Sequence, residues 1–294
     1  MTLLSMLFKG TLGDEHVYQC DFDGSGWSTP AVIPEIVTGT HPMWVRYYDQ
    51  TLFTAWRAVA PTHAIESGRY DGPSTWTWWG ANPPAASSSA APAAAPLPGA
   101  PGKLLLAWKG NGPNTSIQCA VFDSAHWSAS SPVPNAFTSH SPAAAAFENY
   151  IHLVWKGVPG DYQIYHARFD GVSWSTPQAI PGISTSSQPA LTTYAGRLVL
   201  AWRGGEDDVA IYWSSLAAAG GSWAPSSRIS TFESEIGPAI LEFAGRLHLV
   251  FRGVGSDSAL YMANFDGDFW WNAHPIPGGA SSSSPTIAEF DPAF

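Results

Sequence analysis

Six of the chain's 13 lysines and arginines fall at one recurring position: Lys9, Arg57, Lys109, Lys156, Arg203 and Arg252, each directly after a Phe or Trp. Five residues beyond each cation stands an acid or amide in five copies (Asp14, Asn114, Asp161, Asp208, Asp257) and Thr62 in the second. A lysine or arginine only donates hydrogen bonds, and an ionised carboxylate only accepts them. Side by side they suit a ligand with neighbouring hydroxyls, the cation donating to two oxygens while the carboxylate accepts from them. The plainer reading is an ion pair bracing a turn. When exposed, such a pair contributes about 0–1 kcal/mol, little reason to repeat it in every copy. A second aromatic recurs in the same frame, at Trp27, Trp76, Trp127, Trp174, Trp223 and Trp270. An indole is a rigid, flat surface for the apolar face of a sugar ring; equally, its bulk can fill the gap between packed units. The candidate ligand-binding set is therefore the six cations, the four aspartates of the pattern and the six tryptophans.

No comparable pattern supports catalysis. A propeller or barrel enzyme breaks its symmetry at one cluster of acid, base or metal ligands. The nine histidines (His16, His41, His63, His126, His140, His152, His166, His248 and His274) are scattered without metal-motif spacing and read as surface or satisfied polar residues. There is no nucleophile elbow, phosphate loop or nucleotide fingerprint. Unrepeated acids such as Glu66, Glu233 and Glu235 have no second carboxylate set opposite them for glycoside chemistry. The expectation is a non-enzyme with no cofactor and no metal.

Composition narrows the partners. Thirteen basic against 23 acidic residues give a net charge of −10, the wrong sign for displacing counterions from nucleic acid or an anionic membrane. With 45 % hydrophobic and 13 % aromatic residues the chain can bury a large core. Two cysteines, Cys20 and Cys119, stand two repeats apart and provide neither a disulfide framework nor a zinc site. No apolar run reaches the length of a membrane span, and the first residues lack a charged leader region. The chain is expected to be soluble and cytoplasmic at synthesis, with release by a leaderless route open and the oligomeric state unassigned.

The elements that position these residues follow from the repeat. The second tryptophans are separated by 49, 51, 47, 49 and 47 residues, and Pro42, Pro92, Pro142, Pro189, Pro238 and Pro285 open successive segments. Within the fifth copy, 189–194, 197–203, 209–216 and 223–229 read as four short extended runs separated by Gly, Asp and Ser turns. Four strands in a unit of about 40–50 residues mark a β-propeller blade. The chain starts in a second strand (2–9) and finishes with a first strand (284–290), so the two ends make one blade if the ring closes and leaves no open sheet edge. The expected fold is all-β: a single six-bladed propeller of four antiparallel strands per blade, closed by the C-terminal strand joining the N-terminal blade. Blade 1 combines 283–294 with 1–36, and blades 2 to 6 span 37–86, 87–137, 138–184, 185–233 and 234–282. The Ala/Pro/Ser-rich stretch 81–102 reads as a degenerate inner strand with a loose junction. Copies two and three carry Glu66 and Gln118 where the others have Tyr18, Tyr165, Tyr212 and Tyr261. Fewer than six functional sites are expected, with blades 1, 4, 5 and 6 the better candidates.

The repeat, of the form SxPALxxYxGRLxLAWRG…DxxIY…FDGxxWSxPxxIP, resembles the blades of β-propeller lectins, the six-bladed fucose-binding lectins of the Aleuria type above all, with tectonin-like propeller lectins sharing a related turn. The resemblance spans essentially the whole chain. It implies a multivalent carbohydrate-binding protein whose partners are glycans or glycoconjugates, with monosaccharide pockets lying between blades and built from an Arg, a Glu and aromatic rings around a fucose-like sugar. The cation is present in every copy here, whereas a third-strand Glu occurs only at Glu66. Sialidases also build six blades, but the adjacent Asp-Gly pairs 23–24, 170–171 and 266–267 do not match their Asp-box.

Overall fold

The computed structural model describes residues 2–47, 51–72, 75–83 and 85–291, and its regular elements are all β-strands. They form six four-stranded antiparallel sheets. In blade 4 the order from the inside outwards is Ala143–Phe147, Tyr150–Lys156, Gln163–Phe169 and Gln178–Ser184. Blade 1 takes its inner strand, Thr286–Phe290, from the C-terminal end and pairs it with Leu3–Lys9, Met6 opposite Ile287. The ring is therefore closed as a six-bladed β-propeller.

Burial along each strand follows from its place between neighbouring blades. In the second strand of blade 4, YIHLVWK, every residue but the first is buried, because blades cover both faces. The third strand, QIYHARF, alternates, and in the fourth, QAIPGIS, only Ile180 and Ile183 are buried. The core is thus a set of seams between blades; one joins Leu105, Ile117 and Val133 of blade 3 to Ile151, Leu153 and Trp155 of blade 4. Between third and fourth strands the register slips, as at Gln163/Tyr165. Each fourth strand contains one left-handed residue: Glu35, Gly80, Asn135, Gly182, Ser230 and Gly278, φ between 49° and 73°. An extra residue of this kind bends the strand and turns the outer edge.

Two expectations need correction. The fourth strand of blade 5 is Ser227–Glu233, not 223–229. Trp223 makes only a single bridge to Leu216, and Pro225, with no N–H to donate, delays the ladder. The Ala/Pro/Ser stretch is also not loose. Its segment Ala93–Pro96 is the inner strand of blade 3, and the junction before it is tied back by Ser88 N–H to the His63 carbonyl at 2.9 Å and Ile65 N–H to the Ala86 carbonyl at 3.0 Å. Cys20 and Cys119 are both buried free thiols.

Candidate functional site

The six recurring cations are inward-turned braces. Lys9 Nζ donates to the Asp14 carbonyl at 2.8 Å and Ser282 Oγ at 3.3 Å; Lys156 Nζ donates to the Asp161 carbonyl and Ser139 Oγ, both at 3.0 Å. Lys109 Nζ bonds Ser89 Oγ at 2.6 Å and three hairpin carbonyls at 3.1–3.2 Å. The arginines reach further, their Nε donating to Ser88, Ser234 and Ser281 carbonyls at 3.0–3.1 Å from Arg57, Arg203 and Arg252. Each cation thus joins its own hairpin to a linker between blades. Lys9, Lys109, Lys156 and Arg203 are buried, and burial lowers the pKa of Arg57, Lys109 and Lys156 from their ordinary values.

The aspartates lie in the same hairpins but turn to other partners. Asp14, Asp161, Asp208 and Asp257 each accept the backbone N–H two residues on at 3.0 Å through Oδ1. Their Oδ2 atoms accept the hydroxyls of Tyr18, Tyr165, Tyr212 and Tyr261 at 2.8–3.0 Å. In place of the expected cation–carboxylate contact, the lysines bond the carbonyl of that same residue, and Arg203 and Arg252 bond other carbonyls of the hairpin, those of Glu206 and Gly255. This packing also accounts for the Gly after the cation. A Cβ at Gly10, Gly157, Gly204 or Gly253 would overlap the Asp side chain, and one at Gly110 would overlap Asn114. Blade 2 has Ala58 there, and with it Thr62 in place of the acid.

The second tryptophans sit half-buried between blades. Trp27, Trp127, Trp174, Trp223 and Trp270 each bridge back to the end of the third strand, and each leans on the preceding blade. Trp127 lies 6.1 Å from Phe53, Trp223 5.6 Å from His166 and Trp270 5.9 Å from Trp213, ring centre to ring centre. In blade 2, Trp76 is instead part of the regular fourth strand, stacked on Trp78 at 5.0 Å and edge-on to Trp44 at 5.5 Å. Aromatic rings therefore fill the seam between blades 1 and 2.

Between blades 4 and 5 the seam opens into a cleft of about 670 Å³. Blade 4 supplies His166, Arg168, Ser175, Thr176, Gln178 and the bulge Pro181-Gly182; blade 5 supplies 219–226, including Trp223. Behind this wall the His152 and His166 rings stack at 5.0 Å, with Nδ1 of the first 2.9 Å from Nε2 of the second. Burial pushes both pKa values down, to about 4 for His152 and about 3 for His166, with the neighbouring Arg168 charge acting in the same direction. Both rings are neutral near pH 7. The Arg168 guanidinium lies over the Tyr150 ring, 5.0 Å from its centre, and donates to the Ala219 carbonyl.

Cross-strand register identifies the counterparts. His152 faces Arg168; in the other blades the pair is Ser5–Asp21, Phe53–Arg69, Leu105–Val121, Val199–Ser215 and His248–Asn264. Several seams hold buried polar atoms without a hydrogen-bond partner: Trp223 Nε1 and His152 Nε2 at the blade 4–5 seam, His248 Nδ1, Asn264 Oδ1 and Trp27 Nε1 at the blade 6–1 seam, Trp270 Nε1 at the blade 5–6 seam, and the Nε1 atoms of Trp44 and Trp56 at the blade 1–2 seam. Such atoms mark a place for water or ligand. His152, His166 and His248 are expected from sequence to be surface or satisfied polar residues, and Arg168 and Asn264 are not singled out there. The signal was available in their departure from an otherwise repeated strand.

A second cavity, about 360 Å³, is the axial channel lined by the six inner strands. Its walls are mostly Ala, Pro, Ile and Leu, with Gln188 and Ser284 hydrogen-bonded to each other beside it. Among the described residues no cluster of His, Cys, Asp and Glu is placed to hold a metal ion.

No family model and no curated protein matches the chain. Solved structures do. A fungal lectin structure described as a six-bladed β-propeller with a novel fucose recognition mode, from Aleuria aurantia, superposes with a TM-score of 0.68 at 17 % identity, covering 94 % of this chain and 91 % of that one. The AofleA protein of Arthrobotrys oligospora gives 0.68 at 12 % identity over 93 % and 82 %. SapL1 lectin, in complex with α-methyl fucoside, gives 0.67 at 16 % over 91 % and 90 %. At these identities the likeness is one of fold.

Proposed function

We propose that this protein is a non-enzymatic carbohydrate-binding protein that takes monosaccharide units of glycans in clefts between its blades. The carrying observation is the blade 4–5 cleft, where an indole borders a cavity rimmed by hydroxyl, amide, imidazole and guanidinium groups. Sugar sites need a flat apolar surface beside a few placed donors and acceptors. The structural neighbours, lectins of which two are described with fucose or a fucoside, support the same class. The blade 6–1 seam, with its orphaned His248, Asn264 and Trp27 atoms beside Phe22 and Met262, is the second site. It carries no charged pair and suits a neutral, fucose-like sugar whose methyl group meets apolar side chains.

In this reading the six cations and their aspartates hold the hairpins at one end of the ring, and Trp27 and Trp223 are the members of that sequence-derived set that reach the sites. Two sites on one rigid ring raise avidity for a glycan-coated surface without any new contact. Glycan-array binding and retention on immobilised sugars test the class. Retention weakened at least tenfold by Trp223→Ala, in a protein that keeps its β-sheet spectrum, supports it; no retention of the unmodified protein on any sugar refutes it.

A further inference from the structure

The blade 4–5 cleft differs in charge from every other seam. Its lining contains one formal charge, Arg168, and no carboxylate, although the chain as a whole is at −10. In blade 2 the counterpart, Arg69, is neutralised by Asp71, Nε to Oδ1 2.5 Å. The other ion-paired arginines among the described residues are Arg46 with Glu289 and Arg228 with Glu233. Arg168 makes no such pair. One of its N–H groups is fixed on the Ala219 carbonyl and its plane rests on Tyr150, so the guanidinium is oriented before any ligand arrives. Glu148, in the turn between the first two strands of blade 4, is exposed and accepts the N–H of the same Ala219 at 3.0 Å rather than pairing with the guanidinium. Around the cation stand Ser175, Thr176, Gln178, Ser222 and Ser226. The cleft therefore combines a polar rim, an indole face and a planar cation that makes no direct ion pair.

We infer that the blade 4–5 cleft selects saccharides that carry a carboxylate, a uronic or sialic acid, with Arg168 pairing the carboxylate and Trp223 the apolar ring face. This rests on the carbohydrate-binding reading and adds the substrate class. A guanidinium presents parallel N–H groups that match a carboxylate, which lysine or a neutral donor does not. His166, which lines the cleft, is a neutral ring near pH 7.

Calorimetric titration at pH 7 decides it, using glucuronic acid, galacturonic acid and N-acetylneuraminic acid against glucose, galactose and fucose. The expected result is at least one acid bound about tenfold or more tighter than its neutral counterpart, the size of a charge-assisted hydrogen bond, with the preference lost in Arg168→Gln. Salt provides a readout that needs no variant: raising sodium chloride from about 20 mM to about 500 mM should weaken the acid severalfold and leave neutral sugars unchanged. Neutral sugars bound as well as the acids would overturn the inference while leaving the carbohydrate reading intact. A preference that survives in a folded Arg168→Gln protein, or that ignores salt, would also overturn it. Binding of neither kind would overturn both.

Discussion

At the scale of single residues, histidine burial sets the response to acid. His152, His166 and His248 have folded pKa values near 4, 3 and 4, below their ordinary 6.5, with burial the main cause. The unfolded chain therefore binds more protons than the native one between those limits. Stability from the neutral rings is complete above about pH 6.5 and is lost as pH falls toward 4, by up to about 3 kcal/mol per ring. Below that, the turn aspartates add to the loss: serine and backbone donors hold Asp23 near 2, and backbone and indole donors hold Asp266 there. Thermal melts at pH 7 and pH 4.5 should show a clear fall in Tm. In His152→Leu, which installs the residue that blade 3 has as Leu105, the fall should be smaller. Lys156 gives a second residue-scale expectation. Lys156→Met leaves the Asp161 carbonyl and Ser139 hydroxyl without their donor and should cost about 1–3 kcal/mol in urea denaturation, with sugar affinity at the blade 4–5 cleft unchanged.

At the scale of the element, the hairpin between second and third strands is a unit whose residues constrain one another. The cation braces the carbonyl, the acid holds the tyrosine, and the glycine makes room for the acid. Gly157→Ala should destabilise by about 1–3 kcal/mol, since the added methyl forces Asp161 aside. Adding Asp161→Thr should recover part of that loss, because blade 2 already uses the Ala58 and Thr62 combination. The double-mutant cycle in urea measures the coupling; strictly additive losses would refute the packing explanation. These hairpins show what was legible in the sequence. Recurrence pointed to the cations, aspartates and tryptophans because the same hydrogen bonds are needed in each blade. It could not distinguish a repeated brace from a repeated binding group; the cations and aspartates are engaged in hydrogen bonds that hold their hairpins. The cleft residues were hidden for the opposite reason. His152, His166 and Arg168 matter where they break the repeat, and only cross-strand register shows that they share one wall. The fourth strand of blade 5 was misplaced because Trp223 looks like a strand residue, while Pro225 prevents the ladder from starting there.

At the scale of the whole molecule, closure was legible from the phase of the termini: a chain that begins with a second strand and ends with a first has one arrangement that leaves no open edge. The Thr286–Phe290 strand lies on Leu3–Lys9, and Ile287, Ala288 and Phe290 are buried. Ending the chain after residue 285 should expose the edge of blade 1, broaden the thermal melt and promote aggregation relative to the full chain, as seen by thermal melting and size-exclusion chromatography. Retained cooperativity would mean that closure contributes little. Aromatic rings of blade 2 pack on Phe290 in the blade 1–2 seam, whereas His166 and Arg168 stand in the blade 4–5 seam and His248 faces Phe22 in the blade 6–1 seam.

The most direct test of a sugar site between blades is a crystal of the protein soaked in a mixture of neutral and acidic monosaccharides. Density for a sugar ring against Trp223, within reach of Arg168 and His166, is the predicted result. A sugar seen only in the axial channel or on the outer face, with the blade 4–5 cleft filled by water alone, would contradict it.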